Sequence, residues 1–117
     1  MFDHEQLVVH QKALDFAAAA DALNSRLPPG RGYVADQLKR AVGSIVFNMG
    51  EGAGEWSPGE KVRFYRMALR SATECASILA LVMKLRLVTT EDLPATRNLL
   101  QEIVKMLVAL CRSVEAR

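Results

Sequence analysis

A chain of 117 residues, half of them hydrophobic and carrying a formal charge of only +2, is long and apolar enough to bury one domain core without disulfide or metal staples. That composition excludes a disordered chain and a polyanion-seeking charge excess. The opening MFDHEQLVVHQK places acids before any apolar run, and the longest uncharged stretches, AVGSIVFNMG and CASILALVM, fall short of the ~20 residues that span a bilayer, so neither a secretory signal nor a membrane helix is expected and a soluble, cytoplasmic protein is.

In chain order, Val9, Ala13, Phe16, Ala20, Leu23 and Leu27 recur at alternating spacings of four and three, which lines one face of a first helix. PPGRG stops it. A second helix is expected from about Tyr33, with Leu38, Ala41, Val42, Ile45 and Met49 on its apolar side. The third carries two adjacent seams, one of Phe64, Ala68, Ser71, Cys75, Ile78, Val82 and Leu85, the other of Tyr65, Leu69, Ala72, Ala76, Leu79 and Met83. A stripe that wide predicts packing against several neighbours. Ser57-Pro58-Gly59-Glu60 predicts its start, as a capping box with proline in the first turn. A fourth helix, opened by Thr89 or Thr90 and with Glu91 and Asp92 in its first turn, presents Leu93, Thr96, Leu100, Ile103, Leu107, Leu110 and Val114. No segment alternates with period two between hairpin turns, so no sheet is expected. The expected fold is all-α, a single domain over residues 1–117 built as an up-down-up-down antiparallel four-helix bundle.

The stretch NMGEGAGEW at the junction of the second and third helices has Gly50, Gly52 and Gly54 as GxGxG. A dinucleotide fingerprint needs GxGxxG after a strand, and a Walker loop ends in GK[ST]. Glu51 and Glu55 also put negative charge where phosphate would sit. The stretch therefore reads as a hinge, in which Gly50 and Gly52 lack side chains where two helices converge, Gly54 takes positive φ at a helix end, and Ser57 caps the next helix.

Beside the apolar side of the second helix runs a polar seam of Gln37, Arg40, Ser44, Asn48 and Glu51. Folding back at Gly54 brings Arg40 opposite Arg70, Ser71 and Glu74, predicting an Arg40–Glu74 ion pair, and sets Asn48 near Arg63 and Phe64. Such a network fixes helix register. A di-iron bundle needs Glu-x-x-His on two helices, a motif this chain lacks, and both histidines, His4 and His10, lie in the first ten residues. Cys75 and Cys111 stand in apolar-periodic segments without CxxC spacing and read as buried thiols. No catalytic, cofactor or metal residue is assigned.

The segment QLKRAVGSIVFNMGEGAGEWSPGEKVRFYRMALRSATE, through Gln37, Arg40, Ala41, Ser44, Ile45, Asn48, Glu51, Gly52, Gly54, Ser57, Glu60, Phe64, Ala68, Ser71 and Glu74, resembles the signature of the bacterial four-helix bundle protein family. That family includes proteins encoded in intervening sequences of large-subunit ribosomal RNA genes and was once labelled ribosomal protein-like; FDHEQLVVHQKAL resembles its opening. The resemblance implies a bundle that assembles into a ring, a homopentamer, without demonstrated catalysis. It also implies kinship with an accessory protein of diversity-generating retroelements, thought to bind nucleic acid and a reverse transcriptase through a basic ring surface. Gly50 stands where alanine is common in the family, and Glu55 where arginine is frequent.

Two functions are weighed. The first is a non-enzymatic oligomeric scaffold or interaction protein that takes no cofactor and no small-molecule substrate, its contacts built from the polar seam and from apolar residues left over by the core, Leu7, Val8, Trp56, Tyr65 and Met106. The second is a module binding RNA or another nucleic acid through Lys39, Arg63, Arg66 and Arg70.

Overall fold

The computed structural model describes residues 4–89 and 91–117. Its regular elements are four helices, α1 His4–Asn24, α2 Gly32–Gly54, α3 Pro58–Lys84 and α4 Leu93–Glu115. Each packs on its two neighbours in the cyclic order α1, α2, α3, α4, with no diagonal packing among the described residues. Side-chain pairs between α4 and its two neighbours show how these helices run. Lys12 reaches Glu102 at 3.0 Å while Arg26 lies 3.8 Å from Asp92, so α1 and α4 run antiparallel. Arg66 meets Glu115 at 2.7 Å, near the start of α3 and the end of α4. The result is the expected bundle, 47 × 22 × 19 Å.

The core follows the periodicity closely on three helices. Val9, Ala13, Phe16, Ala20 and Leu23 are buried on α1, Leu38, Ala41, Val42, Ile45 and Met49 on α2, and all seven expected positions on α4. Leu27 is half-buried against them, and Gln6 is a buried polar residue that the apolar spacing does not flag. On α3 the buried line runs between the two expected seams through Val62, Tyr65, Ala68, Ala72, Cys75, Leu79 and Val82. Phe64, Leu69, Ser71 and Ile78 are half-buried at its flanks, and Ala76, Met83 and Leu85 are exposed. The buried line takes Ala68, Cys75 and Val82 from the first seam and Tyr65, Ala72 and Leu79 from the second, because apolar residues cover a wide arc of α3 and the two neighbouring helices decide which part of it is central.

The hinge differs from expectation at two of its three glycines. Helix α2 continues through all of them. Gly50 faces solvent with nothing near a Cβ position, and Gly54 does not have positive φ; among the described residues only Gly30 (φ 88°) and Arg86 (φ 51°) do. The helix ends instead by an extended Glu55 whose N–H donates to the Gly52 carbonyl, so no left-handed residue is required. Gly52 is the position where the helices converge. A Cβ there would lie 2.6 Å from Tyr65 Cε1, 2.8 Å from Cδ1 and 3.2 Å from Phe64 Cβ. Ser57 caps α3 as expected, its hydroxyl accepting from the Glu60 N–H at 3.1 Å. Lys61 then reaches back from the first turn of α3, its ammonium donating to the Gly52 and Ala53 carbonyls at 3.2 and 3.1 Å. This partners the Ala53 carbonyl at the end of α2 and gives that of Gly52 a second donor besides Glu55.

The reversal from α3 to α4 also departs from expectation. Arg86 takes the left-handed position, with its own N–H donating to Met83 and that of Leu87 to Val82. That is a Schellman stop made without glycine. Thr89 is exposed outside any helix and Thr90 lies outside the described residues. The cap position is Asp92, which makes no side-chain cap bond, so Glu91 and Asp92 precede the first turn of α4, and Pro94 lies within it.

Candidate functional site

The polar seam is built where α2 and α3 run side by side. Ser44 and Ser71 are half-buried and share a hydroxyl–hydroxyl bond of 2.7 Å. Asn48 donates its amide to the Ser44 carbonyl and hydroxyl at 2.9 and 3.0 Å. Small polar side chains recurring at this spacing let two helices approach closely while keeping every buried hydroxyl partnered. Gln37, Arg40, Glu51 and Glu74 stand outside this bonded centre and are exposed. The expected Arg40–Glu74 ion pair is not formed. An exposed pair contributes only ~0–1 kcal/mol against the entropy of two long side chains, so the Ser44–Ser71 contact fixes register without it. Asn48 bonds within α2, and Arg63 turns away to Glu60 at 3.0 Å with its guanidinium 4.4 Å from the centre of the Phe64 ring.

Around this seam lies an apolar border. Phe47 is 72% exposed, pointing outward from α2; Tyr33 is 54% exposed at its start, and Met67 and Leu81 are exposed on α3, with Leu85 at its cap. Trp56, between the two helices at the hinge, is 96% exposed. Of the leftover apolar residues expected from sequence, Trp56 and Leu7 are exposed, Val8 and Met106 are half-buried, and Tyr65 is not left over at all. Its ring is buried with Val62, Leu110, Cys111 and Val114, in the space that Gly52 leaves open. Phe47 was detectable in principle, because it sits two residues from both Ile45 and Met49 and so falls off the core spacing.

The four cations named from sequence do not share one face. Lys39 lines the groove between α1 and α2 with Ala17, Asp21 and Val42. Arg66 lies on the far side of the bundle, against Glu115 of α4, and Arg63 is matched by Glu60. Arg70 is exposed on the outside of α3. A different set gathers between α3 and α4, where Arg97 and Lys105 flank an open groove of about 250 Å³ lined also by Ala76, Leu100, Gln101 and Val104.

Both cysteines are free and buried. Burial pushes the Cys75 thiol up to about 12, helped by the neighbouring Glu74 charge. Cys111 is raised chiefly by burial, with Arg66 pulling it down and Glu115 adding to the rise. Both therefore stay protonated at neutral pH and act as apolar filler. Among the described residues no three His, Cys, Asp or Glu side chains converge as metal ligands, and no helix is long and apolar enough to cross a membrane.

Comparison with known proteins adds to this geometry. A family model described as 23S rRNA-intervening sequence protein matches residues 5–109. Among solved structures, a protein of unknown function from the S23 ribosomal protein family, from Bacteroides thetaiotaomicron, is similar over 92% of this chain and 98% of its own, with a TM-score of 0.83 and 25% identity. The search of curated proteins found no match.

Proposed function

The chain belongs to the 23S rRNA-intervening sequence protein family, and from that premise we propose that it is a non-enzymatic, oligomeric scaffold whose subunits meet through the outer faces of α2 and α3. The observation that carries this reading is the exposed apolar border of that face, with Phe47 at its centre and Trp56 at its end. Large aromatic side chains left in water beside a polar seam mark a surface that gains by being covered. The charges favour a second copy of the same chain as the cover. Arg40, Arg70, Glu51 and Glu74 all lie on the exposed side of α2 and α3, and none forms an ion pair within the chain among the described residues. Charges of both signs on α2 and α3 let the α2 side of one copy meet the α3 side of the next, head to tail, and such a contact repeated around an axis closes into a ring. Five subunits is the number that the family resemblance leads us to expect.

The non-enzymatic part of the reading rests on the residues at hand. Both thiols are buried and protonated, and both histidines lie near the start of α1. A nucleic-acid module using Lys39, Arg63, Arg66 and Arg70 is the weaker reading, because these residues are dispersed around the bundle and two are matched by acids. Charge exchange tests the contact. Arg40→Glu should shift the protein to smaller species in size-exclusion chromatography at micromolar concentration, and adding Glu74→Arg should restore the larger one. If Arg40→Glu left the elution of an oligomeric wild type unchanged, the α2/α3 contact would be the wrong one.

A further inference from the structure

We propose that the groove between α3 and α4 is a docking site for an acidic amphipathic helix of a partner protein. This inference is independent of how the subunits associate. The groove has a floor of Ala76 from α3 and Leu100 and Val104 from α4, with Arg97, Gln101 and Lys105 along its α4 side. Arg97 and Lys105 are eight residues apart on one helix, so their Cα atoms are separated by about 12 Å along it. Arg112, seven residues beyond Lys105, continues the same side. None of Arg97, Lys105 and Arg112 forms an ion pair among the described residues. The acid at that end, Glu115, is already matched by Arg66 of α3. The surface is therefore an apolar groove between Arg97 and Lys105, edged by unmatched positive charge that Arg112 extends along the same helix.

Those features select the occupant. Unmatched cations in a row of about 22 Å call for acids repeating along a rod of some four turns. The floor calls for apolar side chains on the same rod, and the small Ala76 lets a third helix approach at the usual 8–10 Å. An amphipathic helix meets both demands, with apolar residues at i, i+4 and i+7 in the channel and Glu or Asp flanking them. A phosphodiester strand offers charge but nothing to fill an apolar floor, and no aromatic side chain lines this groove for bases to stack on.

The probe is a fluorescein-labelled 18-residue peptide designed as a helix with leucines on one face and glutamates on its flanks, titrated with the full chain and followed by anisotropy. A scrambled peptide of equal charge and composition is the control. Binding of the amphipathic peptide should weaken at least about tenfold in Arg97→Glu/Lys105→Glu. It should also weaken in Ala76→Gln, which fills the floor without changing charge. All three positions are exposed, and circular dichroism verifies that the variants are folded. No binding by the wild type, or equal binding of the scrambled peptide, would overturn the proposal. A single-stranded RNA that displaced the peptide and ignored Ala76→Gln would assign the groove to nucleic acid instead. A drop in solution mass of Arg97→Glu/Lys105→Glu without any peptide would assign it to a second copy of this chain, which also overturns the proposal.

Discussion

At the amino end of α3 the chain reverses within residues 55–57, where Ser57 caps one helix, Lys61 caps the other and the bare Gly52 admits the Tyr65 ring. At the carboxyl end of α3 the reversal takes residues 85–92, forces Arg86 to a φ of 51° and leaves Asp92 without a side-chain cap bond. The first turn has a residue suited to each local demand. The second ends α3 with backbone bonds alone and holds the Arg86 side chain in a conformation that disfavours one. The short turn is also the one that joins the two helices of the proposed contact face. The hinge there sets the relative height of Phe47 and Met67, whereas the longer turn carries only Leu85 of that border.

This contrast can be broken or sharpened by substitution, with stability followed by chemical denaturation at one protein concentration, because self-association makes apparent stability concentration-dependent. The largest effect is expected at Gly52→Ala, where the added methyl meets a buried ring that cannot swing away; a loss of about 2–3 kcal/mol is expected. A loss below about 0.5 kcal/mol would mean that α2 and α3 can separate at the hinge without consequence. Next comes Lys61→Met, which keeps the aliphatic stem and removes the ammonium from the Gly52 and Ala53 carbonyls, for a loss of about 1 kcal/mol. At the other reversal the sign changes. Arg86→Gly should raise stability by about 0.5–1 kcal/mol, since glycine tolerates the left-handed conformation that arginine resists. The smallest effect is expected at Gly50→Ala, two residues from the critical glycine, where empty space around the Cβ position and helical backbone predict a gain of about 0.5 kcal/mol. Opposite signs at Gly50 and Gly52 would separate close packing from helix propensity within one turn of α2.

Much of the fold was legible because apolar spacing is a direct record of which face a helix buries. On α4 every expected position is buried, since the helix is amphipathic and packs with one stripe. On α3 the two seams named from sequence bracket the true buried line, because a helix with neighbours on both sides has apolar residues over a wide arc and spacing alone cannot say where its centre lies. Caps were legible where a side chain makes them, as at Ser57. They were illegible where the backbone makes them, as at Arg86, whose identity carries no turn signal. The hinge glycines were ambiguous for a related reason. GxGxG states that side chains are missing at three positions, but only the partner helix, through Tyr65, reveals which absence matters.

For the proposed contact face, sequence spacing put Ser44 and Asn48 in the polar seam but set Ser71 opposite Arg40 rather than Ser44 and paired Arg40 with Glu74. Opposite charges at matching heights make such a pair plausible on paper, and exposure removes most of its energy. The cations were grouped by proximity in sequence, Arg63, Arg66 and Arg70, whereas the α3/α4 groove assembles Ala76 with Arg97 and Lys105 across the turn between two helices. That grouping depends on which faces of two helices meet, which no single segment encodes.

The most direct test of self-association through α2 and α3 is the absolute mass of the full chain in solution, measured by light scattering beside Phe47→Glu, a change at an exposed position that leaves the core untouched. The account predicts a wild-type mass that is a multiple of 12.9 kDa, near five times that value if the ring is pentameric, and a collapse toward a single chain in the variant. A wild type that weighs 12.9 kDa at micromolar concentration, or a Phe47→Glu protein of unchanged oligomeric mass, would contradict it.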